Sequence, residues 1–426
     1  MEAPREDATG EMLAVGDVVQ LEIGAVAHGG LCVARADNRV VFVRYALPGE
    51  RASVRITEAK RGSFCRGEAI EILRADSRRV TAPCAHFGPG GCGGCDWQHA
   101  SADLQRELKA SVVAEQLQRM AGIDISVVVE PLPSGDSEGF GWRTRVRWGI
   151  DRSSGSAEYD AVLGPRRYRS HDVVPISTAK PCLIAADGLS EAAESRVPPL
   201  RSDEVVLVRR AEQRPAAVFL SRNRVVRSAS GTDAESGEVR EFANGRSFRV
   251  ATAGFWQAHE HAAEVLAGAV AKALDGVKLQ GGSAWDLYGG VGLFTTVLAE
   301  HVGERGAVIS VESDRAASRL ANRNLADLPQ ARAVAARVDH FLTSAAEAVD
   351  AVVLDPPRSG AGKVVTRAIA ARHPQIVIYV ACDPSALARD AATFGEAGYE
   401  LTALRAFDAF PQTQHVECVA VFRSVS

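Results

Sequence analysis

The chain has 426 residues, 46% of them hydrophobic and 24% charged, with a formal net charge of −4 at pH 7. That length exceeds one ordinary domain and predicts two or three; the acidic balance excludes a simple cationic coat for nucleic acid. No apolar run reaches the roughly 20 residues a membrane helix needs, MEAPREDATGEM has no apolar core of the kind a secretory leader carries, and eight unevenly spaced cysteines do not form a disulfide framework. A soluble protein of the reducing cytoplasm is the expectation.

Residues 1–12 read as a disordered tail. Between Gly16 and Leu73, short alternating runs (DVVQLEIGAV, VVFVRYALPGE, ASVRITEA, RGEAIEIL) are separated by turn signals. This pattern predicts a small β-barrel of the oligonucleotide-binding kind over 13–74. CAHFGPGGCGGC follows, with Cys84, Cys92 and Cys95 inside twelve residues, a density typical of a metal site. One C-x-x-C and a single Cys lack the paired knuckles of a zinc ribbon, and uneven spacing is usual for iron–sulfur clusters. Spacing alone leaves zinc, a cluster and an unligated redox pair at Cys92 and Cys95 all open.

Ser101 is placed to cap a helix over 101–121, where Leu104, Leu108, Val112, Leu117 and Met120 recur at helical spacing before Gly122. The region 75–250 is otherwise β-rich, with SSGSAE and GTDAESGE as hairpin connections. It holds two arginine clusters. WRTRVRW sets Arg143, Arg145 and Arg147 on one face of a strand, and GPRRYRSH places Arg166, Arg167 and Arg169 around Tyr168. Guanidinium forks interleaved with aromatics suit phosphates and unstacked bases, although a solvated edge strand gives the same pattern.

From residue 251 to 426 the texture changes to a helix (HEHAAEVLAGAVAKAL) and then alternating β and α segments, which predict a doubly wound α/β sheet. In DLYGGVGLF a buried strand runs into a glycine turn, and Glu312 ends the next strand twenty residues beyond Gly292. A glycine turn with that acid suits an adenosine cofactor, but Thr295 stands where a nicotinamide fingerprint has its third glycine. VVLDPPRSG leaves Asp355 on a stiff loop past a strand end, and VIYVACDPSALARD puts Cys382 at another strand's exit. There the following helix N-terminus is expected to lower the thiol pKa, as suits a nucleophile. FPQTQHVECVAVF carries Glu417 where the last strand begins.

DLYGGVGLF, VES, DPPRSG, ACDPSALARD and FPQTQHVE, in this order, resemble the S-adenosylmethionine-dependent RNA uracil-5-methyltransferase family, which makes 5-methyluridine in transfer and 23S ribosomal RNA. GFWQ (254–257), WRTRV and GPRRYRSHDVVPI extend the likeness upstream, and the barrel resembles the TRAM domain of several members, so nearly the whole chain from about residue 13 is covered. The resemblance implies a C-terminal Rossmann-like methyltransferase domain (251–426) behind the barrel and the central RNA-binding region. It also implies a monomer acting on structured RNA whose target uridine leaves its stack.

The same resemblance makes Cys382 the thiolate that adds to carbon 6 of uracil and Glu417 the base that removes the carbon 5 proton. It sets Asp355 against cofactor and target base, and assigns S-adenosylmethionine to Gln257, Tyr288, Glu312 and Asp339. Where relatives often have an Asn in the glycine turn, this chain has Leu293, so one polar cofactor contact is supplied by backbone or missing. Members carry a 4Fe–4S cluster on three such cysteines and a distant fourth, which makes Cys182 the fourth ligand beside Cys84, Cys92 and Cys95. Seven residues separate Cys84 from Cys92, against five in relatives, while Cys32, Cys65 and Cys418 read as packing residues. Three rival readings are an amino-methylating enzyme, which needs no nucleophile; a non-catalytic RNA-binding protein; and a nicotinamide-linked iron–sulfur oxidoreductase.

Overall fold

The structure is a computed structural model that describes residues 13–36, 39–59, 64–133, 138–152, 161–195, 202–210, 213–222, 224–229, 237–345 and 348–425. The expected tail over 1–12, SSGSAE and most of GTDAESGE lie outside the described residues. Strands β1 (Val18–Glu22), β2 (Cys32–Ala36), β3 (Arg39–Arg44), β4 (Arg51–Ala59) and β5 (Phe64–Arg74) form one sheet in the order β1-β4-β5-β3-β2. Alternate residues turn inward, so Val41, Val43, Val54, Ile56 and Cys65 are fully buried. Gly24 N donates to Val33 O (2.8 Å) and Val33 N to Ala25 O (2.8 Å), which brings the β1 end of the sheet back onto β2.

Helix α1 (Ala102–Ala121) starts where Ser101 Oγ accepts from Leu104 N (3.4 Å) and stops at Gly122, whose φ of 68° a side chain would resist. Its two halves serve different cores. Leu104, Leu108 and Val112 pack into the barrel, whereas Val113 and Leu117 pack into the large C-terminal sheet. β6 (Val129–Pro131) then joins the edge of that sheet. The segment expected to belong to the central region thus ties the barrel to the C-terminal domain. Fully buried Lys109 pins it by an ion pair to Asp408 and a hydrogen bond to Phe410 O (3.0 Å).

The central sheet contains β7 (Arg145–Asp151), β8 (Val162–Gly164), β9 (Glu204–Arg210), β10 (Gln213–Ser221) and β11 (Arg224–Ala229), in the order β11-β10-β9-β7-β8, with α2 (Leu189–Glu194) between β8 and β9 in sequence. A separate hairpin pairs β12 (Glu238–Ala243) with β13 (Arg246–Ala251) through Asn244-Gly245, both at positive φ as a two-residue turn of matching twist requires.

The remaining elements alternate: α3 (Ala262–Leu274), β14 (Ser283–Leu287), α4 (Leu293–Val302), β15 (Ala307–Glu312), α5 (Arg315–Asn324), β16 (Ala331–Ala335), α6 (Val338–Ser344), β17 (Ala351–Leu354), α7 (Gly362–Ala370), β18 (Ile376–Ala381), α8 (Pro384–Glu396), β19 (Tyr399–Asp408) and β20 (Glu417–Ser424). They build an eight-stranded sheet in the order β16-β15-β14-β17-β18-β20-β19-β6. AVVL and IVIYVA are buried on both faces, as strands covered by helices above and below must be. The chain runs outward from β14 on one side and then returns to β17 on the other. The crevice outside the carboxyl ends of β14 and β17 is therefore where such a sheet takes a ligand. Among the described residues, no helix is long and apolar enough to cross a membrane.

Candidate active site

The sheet order lines up the expected residues along one edge. Glu312 ends β15, the glycine turn follows β14, Asp355 follows β17, Cys382 follows β18 and Glu417 opens β20. The β18–β20 ladder is antiparallel with Ala381 opposite Cys418, so Cys382 and Glu417 are the next opposed positions. Asp355 is held beside them on β17, where its N donates to Leu287 O (3.2 Å).

On the cofactor side, Tyr288 (φ 65°), Gly290 (φ 54°) and Gly292 (φ 97°) make a left-handed turn. A Cβ at Gly289 would lie 2.2 Å from Ser310 Oγ and 2.8 Å from Asp286 Oδ2, so that position has no room for a side chain. Glu312 braces the turn by accepting from Gly290 N (3.1 Å), Ser313 Oγ (3.1 Å) and Asp314 N (2.6 Å). A carboxylate offers about four lone-pair sites, so one remains for a ribose hydroxyl. Half-buried Tyr288 has its hydroxyl pushed up to about 12, chiefly by burial and then by Asp390 and Asp339.

Asp339, at the first turn of α6, bonds Arg337 Nη2 (2.8 Å), which holds its carboxyl near 2. Gln257 is buried in the loop before α3, and among the described residues no hydrogen bond joins it to the glycine turn. Leu293 opens α4 with its side chain buried in the core, so it contributes packing and no polar group to the turn.

The electrostatics differ from expectation at the nucleophile. Burial, Glu417 and Asp355 push the Cys382 thiol up to about 12, with Arg358 as the opposing cation. The helix N-terminus does not prevail over two neighbouring carboxyls in a partly dehydrated site. Burial and then Asp355 raise Glu417 well above the usual carboxylate range, again opposed by Arg358. Asp355 is raised to about 7 by burial and Asp286, and Asp286 to about 7 mainly by burial. In the free protein Asp286, Asp355, Cys382 and Glu417 are all shifted toward their protonated forms.

Several supporting residues were not singled out by sequence reading. Asp286 accepts from Thr295 Oγ1 (2.5 Å), while its Oδ1 is buried without a partner. Asp390 takes Tyr379 Oη (2.8 Å), Ala361 N (2.7 Å) and Gly362 N (3.1 Å), so it anchors the far end of the DPPRSG loop. Its signal was available in ACDPSALARD, one helical face from Cys382. His28 of the barrel bonds Asp383 (2.9 Å), the residue that caps α8 immediately after Cys382, and that bond holds the imidazole pKa up. No local pattern marks His28, because its partner is 355 residues away.

The four expected metal cysteines come together. Cys84, Cys92, Cys95 and Cys182 line one cavity, beside buried Arg143. The long Cys84–Cys92 spacing closes on itself: Phe87 N donates to Cys84 O (3.1 Å), Gly91 N to Gly88 O (2.9 Å) and Cys92 N to His86 O (2.8 Å). Gly94 N points at Cys92 Sγ (3.3 Å). Burial raises the thiols of Cys92, Cys95 and Cys182, the last to about 11. Among the described residues no group of three His, Cys, Asp or Glu side chains is gathered to hold a single metal ion. Four soft ligands around a shared space fit a polynuclear sulfur cluster.

The first arginine cluster is not one open face. β7 lies inside its sheet, Arg143 turns toward the cysteine cavity, Arg145 pairs with Glu241 (3.1 Å) and Arg147 pairs with Glu204. Arg166, Arg167 and Arg169 surround Tyr168 in a cleft of about 330 Å³, which Arg143 and Arg147 of the first cluster also line. Arg44 of the barrel stacks on that tyrosine 3.7 Å from its centroid.

A mostly parallel sheet with this strand order and an antiparallel β20, a glycine turn after its first strand and a carboxylate at the end of the second defines an S-adenosylmethionine-dependent methyltransferase fold. Residues 13–70 match the TRAM domain, and residues 244–424 match the family described as tRNA (Uracil-5-)-methyltransferase. A Streptomyces avermitilis protein called an uncharacterized RNA methyltransferase is 41% identical, over 96% of this chain and 98% of its own. The 23S rRNA (uracil(1939)-C(5))-methyltransferase RlmD of Acinetobacter baylyi is 31% identical, over 91% of this chain and 90% of its own. The solved Pyrococcus abyssi tRNA (uracil-54, C5)-methyltransferase shares the fold with a TM-score of 0.69 at 21% identity, covering 95% of this chain and 100% of that one. The chain belongs to the RNA (uracil-5-)-methyltransferase family.

The raised thiol gives a direct expectation. Alkylation of Cys382 in the free protein by iodoacetamide, followed by mass spectrometry, should accelerate about tenfold per pH unit from about pH 8 to 11 without levelling off. A plateau near pH 9 would mean that the thiol is not held protonated by its neighbours.

Proposed function

We propose that this chain methylates carbon 5 of a uridine in a structured ribosomal or transfer RNA, with Cys382 as nucleophile and Glu417 as base. The observation that carries the reading is the opposition of Cys382 and Glu417 one step beyond the β18–β20 ladder, with Asp355 on the adjacent strand. Carbon 5 of uracil is a poor nucleophile, and its proton is not acidic. Cys382 loses its thiol proton to solvent, and addition of the thiolate Sγ to carbon 6 breaks the 5,6 double bond and moves the electron pair into an enolate, which makes carbon 5 nucleophilic. S-adenosylmethionine supplies the methyl group as a sulfonium. Glu417 then takes the carbon 5 proton, the double bond re-forms, and Sγ leaves carbon 6 with its electron pair.

The raised pKa values of Asp355 and Glu417 suit this sequence. A cation arriving beside Asp355 and Glu417 favours their ionised forms and so readies the base. Arg358 already lowers Cys382 and Glu417 and is the resident counter-charge. The barrel (13–74) and the cleft at Arg166–Arg169 are read as the RNA grip, where guanidinium forks and Tyr168 suit phosphates and an unstacked base. Cys84, Cys92, Cys95 and Cys182 are read as ligands of a 4Fe–4S cluster. It would tie the 84–95 loop to the central sheet and take no part in methyl transfer.

RNA carrying 5-fluorouridine at the target should form an adduct that survives denaturation in the presence of S-adenosylmethionine, because fluorine cannot leave carbon 5 as a proton does. The Cys382→Ala variant should form none; trapping that persists in it would overturn the reading. For the cluster, anaerobically purified protein should contain about four iron and four sulfide per chain, and Cys182→Ala should lose both. Full retention in that variant would mean that another residue is the fourth ligand.

A further inference from the structure

The β12–β13 hairpin packs its inward apolar residues into the core of the C-terminal domain, and one side chain of α5 links it to the glycine turn. Asn324 Nδ2 donates to Val291 O in the glycine turn (3.0 Å) and to Arg249 O (3.1 Å), and its Oδ1 accepts from Arg249 N (2.9 Å). The inward residues Val239, Ala243, Phe248 and Val250 are buried, so the strand alternation sends Arg240 and Phe242 outward. The cross-strand register sets Arg240 directly opposite Arg249 and Phe242 opposite Ser247. Two like charges directly opposed on an exposed face are unfavourable unless an anion bridges them. Phe242 stands beside them 71% exposed.

Arg240, Arg246, Arg249 and Arg323 line an open cleft of about 410 Å³ together with Asp327. Two carboxylates partly neutralise it: Asp327 takes Arg246 (2.6 Å), and Glu238 is shared between Arg323 (3.2 Å) and Arg249 (3.7 Å). Four guanidiniums against two carboxylates leave the cleft cationic. No motif used for the active site or the cysteine cavity falls here.

We infer that the outward face of this hairpin, with Arg240, Arg249, Arg323 and Phe242, is a second docking surface for a strand of the substrate RNA. Guanidinium forks match phosphate oxygens in pairs, and an exposed aromatic beside them offers a stacking platform for a base. A protein partner fits the patch less well, since one aromatic ring is the sole large apolar group among the residues that define it. The surface lies on a different sheet from the cleft at Arg166–Arg169, so a folded RNA would be held at two separate places. The inference rests on the RNA-methylating reading.

The test uses the full chain and a fluorescein-labelled, uridine-rich single-stranded RNA of about 20 nucleotides, with binding followed by anisotropy across a salt series. Arg240→Glu with Arg249→Glu should weaken binding about tenfold or more and flatten the salt slope of log Kd by about 1–2. Phe242→Ala should weaken it about fivefold or more, with little change in slope. S-adenosylmethionine binding by calorimetry should be unchanged in both. Independently of any variant, the wild-type chain photo-crosslinked to 5-iodouridine RNA should yield labelled peptide within residues 237–251. Variants that bind within twofold of wild type, or crosslinks confined to other segments, would overturn this inference alone. Failure of the wild type to bind RNA would overturn it together with the reading of function.

Discussion

The antiparallel pairing of β18 with β20 is the constraint on which the site depends. β18 is buried on both faces and β20 through its first six residues, so each is held in register by apolar contacts above and below the sheet. A slip of one residue would exchange the faces of every side chain. Because Ala381 is opposite Cys418, the first residues beyond the ladder are a thiol and a carboxyl on neighbouring strands, roughly 5 Å apart at the backbone. The sheet therefore sets the separation of Cys382 and Glu417, and Asp355, just past the adjoining β17, supplies the third acidic group. Burial first, and then a close carboxyl neighbour, raises the pKa of each of these groups in the free protein.

The loop that delivers Glu417 is braced from outside the C-terminal domain. Lys109 of α1 holds Phe410 O (3.0 Å), and Gln105 exchanges two hydrogen bonds with Gln412 (2.8 and 3.0 Å). Asp96, next to Cys95, accepts from Gln414 N (3.1 Å). Trp97 donates to Gly30 O of the barrel (3.0 Å), at a glycine where a Cβ would lie 2.5 Å from Gln414 Cβ. The barrel thus presses one tight turn against both catalytic elements, with His28 on the cap after Cys382 and Gly30 on the loop before Glu417. The cysteine loop is part of the same brace.

The C-terminal domain was the most legible part of the sequence. AVVL and IVIYVA could only be strands buried on both faces, and DLYGGVGLF, DPPRSG and ACDPSALARD mark strand exits whose order the sheet then aligns. Helix α1 was legible as a helix, but its allegiance was not, since Leu108 and Val113 look alike in sequence while packing into different cores. The spacing of Arg143, Arg145 and Arg147 gave the period correctly, and Arg143 and Arg147 do reach the Tyr168 cleft; what it could not show is that Arg145 and Arg147 are paired with Glu241 and Glu204, which are remote in the chain. Only the expected direction of the Cys382 pKa rested on its helix cap; the burial and the two carboxyls that outweigh the cap come from other strands. Long-range pairs such as His28 with Asp383 leave no local trace.

The division of labour between Cys382 and Glu417 is the central claim, and the fate of natural RNA in a Glu417→Gln variant tests it most directly. With the base removed, methyl transfer should proceed and elimination should stall. Intact mass spectrometry after incubation with S-adenosylmethionine should then show an RNA-linked protein, joined through Cys382, whose uridine already carries the methyl group. A variant that turns over without accumulating an adduct, or an adduct that carries no methyl group, would contradict the account.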